Sequence, residues 1–126
     1  MDDASRARKQ KSNSEIRRWY LRRIAVIANL NHAWIREGLS ARDRAERAWR
    51  FRHEARHAAR AMMADKGDRE LLKVRDMIKY GSREGPSFDF LIARLKDIGV
   101  EGDEAYEAII AGSSRTDSEL NRLLGL

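Results

Sequence analysis

The chain has 126 residues, of which 42% are apolar and 37% charged, and its formal net charge is +6. This length fits a single domain that buries about two-thirds of its unfolded surface, and the apolar content is too high for a disordered chain. There is no cysteine, which excludes disulfides, thiolate nucleophiles and thiolate zinc sites. No apolar run reaches the ~18 residues of a membrane span, and the N-terminus lacks the apolar segment of a secretory signal, so we expect action in the cytoplasm.

The positive charge is concentrated in the first half of the chain. Residues 1–60 hold 16 Lys and Arg against 7 Asp and Glu, a net charge of +9, whereas residues 61–126 hold 10 against 13, a net charge of −3. A one-sided basic surface attracts polyanions, and nucleic acid is the foremost candidate partner. The structural alternative is a solvated basic face that only keeps the domain soluble.

In chain order, residues 1–11 show no apolar periodicity and are expected to be a flexible basic lead-in. Ser12 and Glu15 then form a capping box, which predicts the start of a first long helix that ends at Gly38. The single helical domain therefore spans residues 12–126.

A second capping box, Ser40 with Asp43, begins a helix that is expected to run to about Lys66 and stop at Gly67. Because only two or three residues join the first two helices, we expect a long antiparallel hairpin. One face of the second helix is apolar and the opposite face is mainly cationic. The apolar face carries Ala48, Phe51, Ala55, Ala58, Ala59 and Met62, and the other carries Trp49, His53, Arg56, His57 and Arg60.

Shorter helices follow. Asp68 can cap a third helix that ends at Gly81, and Pro86 suits the first turn of a fourth that stops near Gly99. Asp103 opens a fifth segment, and a third capping box begins the last helix. No β pattern is present, which predicts an all-α, compact bundle of five or six helices whose core holds the aromatic and branched residues, including the apolar residues of the third helix. The third box is Thr116 with Glu119.

The run from His53 to His57 reads HEARH, which matches a motif in which two histidines bind zinc and Glu54 acts as a base. Five-residue patterns arise often by chance, the surrounding arginines repel a dication, and no third ligand stands at a recognisable spacing. We therefore expect no metal site and no cofactor, with His53 and His57 on a basic face.

Metal-free cleavage of RNA requires a base for the 2′-hydroxyl, an acid for the leaving oxygen and cations around the phosphate. The sequence holds side chains for all three roles, although each one also has a plain structural alternative as a cap, a turn residue or a half-buried aromatic. The candidate catalytic residues are His53, Lys79, Tyr80 and Arg115. The candidate phosphate ligands are Arg56, Arg60, Arg75, Ser113, Ser114 and Thr116.

Two other classes remain open at this point. An enzyme that acts on a dinucleotide such as NAD would hold phosphates with Arg60 and Arg75 and stack a base on Tyr80. A non-enzymatic helical module would bind nucleic acid or protein through the first two helices and would need no catalytic residues.

Three runs, RHEARHAARAMMAD, LLKVRDMIKYGSREGPSFDFL and GDEAYEAIIAGSSRTDSELNRLLGL, resemble the C-terminal toxin domains of bacterial polymorphic toxins, including Rhs-type and hemagglutinin-type effectors. The resemblance covers roughly residues 47–126. His57 lies outside the pattern. The chain has Ser82-Arg83-Glu84-Gly85 where the pattern has Asn-Pro-Asp-Gly, and Asp117 where it has Asn, which weakens any role for these positions.

The resemblance implies an antibacterial effector that its producer secretes or injects and that acts in the cytoplasm of the target cell. It also implies a cognate immunity protein, for which the basic face is a docking target if that protein is acidic. Together with the charge, it favours a metal-independent ribonuclease as the function.

Overall fold

A computed structural model describes residues 12–64 and 69–124, and in these ranges the chain forms helices and no strand. The all-α prediction is confirmed. The helical segments are α1 (Asn13–Ala25), α2 (Ile27–Arg36), α3 (Ala41–Ala64), α4 (Arg69–Tyr80), α5 (Phe88–Asp97), α6 (Asp103–Ser113) and α7 (Asp117–Leu123).

The first predicted helix is bent. At Val26 the backbone N–H bonds the carbonyl of Arg23 at 3.3 Å, which is a tighter i to i−3 turn, and α2 continues from there to Gly38 at φ +83°. The bend keeps both Ile24 and Ile27 fully buried. The long antiparallel hairpin is not confirmed, since α1 and α2 are joined segments that both pack against α3.

At all three predicted capping boxes the Ser or Thr hydroxyl caps the helix. The backbone N–H of Glu15 donates to Ser12 Oγ at 3.2 Å, that of Asp43 to Ser40 Oγ at 3.1 Å, and that of Glu119 to Thr116 Oγ1 at 3.2 Å. A further cap was not predicted: Ser87 Oγ accepts from the N–H of Phe90 at 3.1 Å, so Pro86 precedes the cap instead of starting the helix. The lead-in at 1–11, the end near Lys66 and Gly67, and the Asp68 cap lie outside the described residues.

Helix α3 is the centre of the bundle, and α1, α2, α4 and α6 pack on it. Arg44 links three helices, because it donates to Asn31 of α2 at 3.0 Å and to Glu107 of α6 at 2.8 Å. Trp49 Nε1 donates to the carbonyl of Pro86 at 3.0 Å and thereby fixes the loop that follows α4. The largest fully buried apolar side chains are Ile16, Ile24, Ile27, Leu91, Leu95, Ile109 and Leu124.

The expectation that the apolar residues of the third predicted helix belong to the core is wrong for most of them. Leu71, Val74, Met77 and Ile78 of α4 are 64%, 53%, 51% and 82% exposed. The reason is that α4 turns Asp76 towards α3, where this buried carboxylate pairs with arginines. None of the described helices is both long enough and apolar enough to cross a membrane.

Candidate functional site

The cationic face of α3 points into the protein, contrary to the expectation of a solvent-facing stripe. Trp49 and Arg60 are buried and Arg56 is half-buried, while Arg50 and His57 reach solvent. Arginine tolerates this position because its apolar stem packs against neighbouring side chains and its guanidinium finds carboxylates and carbonyls to bond. Four arginines of α3 are therefore committed to internal contacts, namely Arg44, Arg52, Arg56 and Arg60.

Arg52 is the most deeply buried of them, at 2% exposure. Its Nη1 donates to the carbonyls of Ser113 at 2.9 Å and Arg115 at 2.6 Å, and its Nη2 donates to Asp117 Oδ1 at 2.5 Å. A cation at the C-terminal end of α6 interacts favourably with the helix dipole and satisfies carbonyls that have no partner within the helix. Arg52 thus fixes the turn between α6 and α7.

Asp76 of α4 lies between two arginines of α3. Its carboxylate pairs with both Arg56 and Arg60, and Arg60 Nη1 also donates to the carbonyl of Arg83 at 2.7 Å. Arg56 further approaches Asp117, with Nη1 3.9 Å from Oδ2. Three arginines at 52, 56 and 60 therefore face two aspartates, so this network keeps a positive charge.

A cleft of about 450 Å³ opens beside this network, between α1, α3, α4 and the N-terminus of α7. We call it the arginine cleft. Its volume falls in the ~300–1,000 Å³ range of small-molecule sites. Four of the predicted phosphate ligands line it, and so do two residues that sequence reasoning did not select. The predicted ones are Arg56, Arg60, Arg75 and Thr116, and the additional ones are Arg17 and Tyr20.

Tyr20 lines this cleft, but its hydroxyl is buried. The residue is 9% exposed, and its Oη lies beside the Arg56 side chain without a well-formed hydrogen bond. Burial raises the pKa of Tyr20 to about 12, and the nearby cations of Arg52 and Arg56 oppose that shift only in part. The hydroxyl is therefore protonated at neutral pH.

His53 and Tyr80 lie on the other side of Arg56, in a crevice of only about 10 Å³. His53 Nε2 is 3.0 Å from the carbonyl of Glu84, which fits a neutral ring that donates from Nε2. Burial, together with His57 and Arg56, lowers the pKa of His53, so the ring is neutral at pH 7. Tyr80 Oη donates to Asn121 Oδ1 at 2.5 Å, and burial raises the pKa of Tyr80.

The remaining predicted site residues do not line the arginine cleft. Lys79 is exposed, with Nζ 5.9 Å from the ring centre of Tyr80, and the Arg115 guanidinium lies 3.5 Å from Glu119. Ser113 is fully buried and donates to the carbonyl of Ile109 at 2.6 Å, and Ser114 donates to the carbonyl of Ala111 at 3.0 Å. These two hydroxyls serve the last turn of α6. The predicted catalytic residues thus do not gather in one cavity.

Both histidines of HEARH border a separate, open depression of about 560 Å³. Its acidic lining residues are Glu46, Glu84 and Asp89. Within the described residues, no group of three or more histidines and carboxylates is placed to hold a metal ion.

Arg17, Tyr20, Arg52, Asp76 and Asp117 were not selected from the sequence. A signal for part of this set was nevertheless present. Arginines at 52, 56 and 60 recur every four residues and so share one helix face. Asp76 stands four residues after Leu72 and four before Tyr80, on the buried face of its helix.

Comparison of the chain with protein families, with curated proteins and with solved structures gives no match.

Proposed function

We propose that this chain is a toxin domain that acts on RNA and holds a backbone phosphate in the arginine cleft. The observation that carries the proposal is the meeting of arginines from α1, α3 and α4 around one concave, partly apolar space. Their guanidinium groups donate hydrogen bonds, which suits a phosphate oxygen, and the Asp117 carboxylate that also lines the cleft is paired with Arg52 and Arg56.

The charge balance of the cleft supports an anionic ligand. Asp76 and Asp117 neutralise most of the buried arginine charge, so Arg56 and Arg60 are pre-positioned by their partners. Arg17 and Arg75 are exposed at the cleft and supply the additional charge that attracts a polyanion. A phosphate group would bind bidentately to the exposed guanidinium group of Arg17 or Arg75.

His53 is the residue to which we assign the proton transfer. The ring is neutral at pH 7 and can therefore accept the 2′-hydroxyl proton of a ribose at Nδ1. The 2′ oxygen then attacks the phosphorus, the P–O5′ bond breaks, and the leaving 5′ oxygen takes a proton from water. His53 faces the open depression as well as the crevice, and Arg56 lies between that crevice and the arginine cleft. In this proposal the strand crosses Arg56, and the bond from Nε2 to the Glu84 carbonyl holds the ring in place.

The test is incubation of the purified chain with total RNA and tRNA in excess EDTA. We expect discrete fragments, and we expect His53→Ala to abolish them while RNA binding persists. Intact RNA at stoichiometric protein would overturn the ribonuclease proposal. Binding that weakens in graded, salt-dependent steps without cleavage would indicate a binding module, and NAD consumption would indicate the dinucleotide alternative.

A matched pair of substitutions on α1 tests whether the arginine cleft binds the RNA. Arg17 lines the cleft and its neighbour Arg18, also exposed, does not. We expect Arg17→Ala to lower RNA affinity by several-fold to tenfold and Arg18→Ala to have a much smaller effect, although both remove the same charge. Equal losses would mean that only the overall charge of the helix matters.

The biological setting follows from the resemblance to polymorphic toxins. We propose that the producer secretes or injects the domain, that it acts in the cytoplasm of a rival bacterium, and that an acidic immunity protein neutralises it at home. Expression of the chain inside a bacterium should arrest growth, and the His53→Ala variant should not.

A further inference from the structure

Within the described residues, helix α4 presents to solvent an apolar face that no other helix covers. At about 100° per residue, Leu71, Val74 and Ile78 fall within about 60° of one another, and Met77 extends the same face. All four side chains are at least half exposed, and Ile78 is 82% exposed. Contiguous apolar surface of this kind marks interaction sites in soluble proteins, whereas isolated exposed residues do not.

Among the α4 residues whose side chains the structure describes, those that border this face and carry charge are cations. In residues 71–83, Asp76 is buried in the arginine network, and every other charged residue is a cation. Arg75 and Lys79 border the apolar face on one side and Lys73 borders it on the other. This local charge contrasts with the net −3 of residues 61–126.

Arg75 connects the two surfaces, since it borders the apolar face and also lines the arginine cleft. A partner that covers α4 is therefore within reach of the cleft. A second copy of the chain is disfavoured as this partner, because a two-fold contact through α4 would bring Lys73, Arg75 and Lys79 close to their own copies.

A lipid surface fits less well than a protein. Membrane-surface helices usually carry large aromatic residues on the apolar side, and this face has only aliphatic residues and methionine.

We infer that the apolar face of α4 is the docking site of an acidic protein that lays an apolar helix on Leu71, Val74 and Ile78 and directs a carboxylate to Arg75, which closes the arginine cleft. The inference rests on the proposed function, in which closure of the arginine cleft blocks the binding of RNA. Charge complementarity accelerates the encounter, and burial of the apolar face supplies most of the affinity.

The experiment uses two synthetic helical peptides on the full chain. Both carry leucines at i, i+3, i+4 and i+7, and they differ only in flanking residues, which are glutamates in one and lysines in the other. We expect the glutamate peptide to bind, by fluorescence anisotropy, and the lysine peptide to bind at least about tenfold more weakly. We also expect the bound glutamate peptide to raise the Kd for an RNA oligonucleotide.

Variants locate the contact. Ile78→Ser should weaken binding of the glutamate peptide about tenfold, the loss expected for one buried isoleucine. The control Ile35→Ser changes a residue of α2 that is 51% exposed and should leave binding unchanged. Because both side chains reach solvent, neither change should prevent folding, and helical circular dichroism checks this.

Four outcomes would overturn the inference: equal binding of the two peptides, equal effects of the two variants, dimerisation of the chain that Ile78→Ser abolishes, or vesicle binding through Ile78 in place of peptide binding. RNA cleavage is measured on the same variants. Ile78→Ser should cleave RNA like the unaltered chain, so failure of docking and failure of the ribonuclease proposal are distinguishable.

Discussion

Replacement of Asp76 by asparagine removes one negative charge from the arginine network without a change in side-chain size. Asp76 is 4% exposed and pairs with Arg56 and Arg60, of which Arg60 is also buried. Loss of one partner from a buried ion pair typically costs about 3–5 kcal/mol, because the remaining charge stays buried without compensation. Against a total stability of roughly 5–15 kcal/mol, this is a large fraction.

The loss is measurable by urea unfolding followed through helical circular dichroism. With m-values of about 1–3 kcal/mol/M, a loss of about 3 kcal/mol lowers the midpoint by about 1–3 M, and it lowers Tm by on the order of 10 °C for a domain of this size. The control is Asp89→Asn, which removes an exposed carboxylate of α5. It should change stability by less than about 0.5 kcal/mol.

A second variant distinguishes charge burial from packing. The double substitution Asp76→Leu with Arg60→Met replaces most of the pair by apolar groups and should recover a good part of the stability that Asp76→Asn loses. If Asp76→Asn costs less than about 1 kcal/mol, the pair is solvated in the folded protein, and the description of these arginines as internally committed is wrong.

Other predictions concern single contacts. Thr116→Ala removes the cap of α7 and should cost about 1 kcal/mol in thermal unfolding, with no loss if the cap is frayed in solution. Trp49→Phe leaves the carbonyl of Pro86 without its donor and should cost about 1–3 kcal/mol in urea unfolding, and a neutral result would mean that water replaces the indole. Burial lowers the pKa of His53, so as pH falls below about 6.5 the unfolded chain binds a proton at His53 before the folded chain does, and the contribution of His53 to stability is lost. The difference in urea midpoint between the unaltered chain and His53→Gln should therefore shrink from pH 7.5 to pH 5. A constant difference would contradict the lowered pKa. Arg75→Ala should weaken binding of inorganic phosphate several-fold in calorimetry, whereas an unchanged affinity would remove this guanidinium group from the site.

Part of the arginine cleft could be predicted from the sequence. Arg56, Arg60, Arg75 and Thr116 were selected as phosphate ligands and line the cleft. They were selected because their side chains can bind phosphate, which the sequence shows, whereas their positions in the fold were not predicted. Tyr20 was predicted only as a core residue, since its helical spacing gave no sign that it would also line a cavity.

The orientation of α3 could not be predicted. Its apolar and cationic faces were assigned on the rule that charge faces solvent, yet Arg52 and Arg60 are buried. That rule fails when carboxylates from distant segments are present to receive the charge, and Asp76 and Asp117 lie 16 and 57 positions beyond Arg60 in the chain.

The sequence by itself determined the helical class and where most helices begin, because capping boxes and glycine stops act through hydrogen bonds between residues three or four positions apart. It also determined that the first half is strongly basic. Only the tertiary structure decided which cations reach solvent and which are neutralised. That outcome depends on packing between α3, α4 and α7, and such long-range pairing leaves no periodic pattern in the chain.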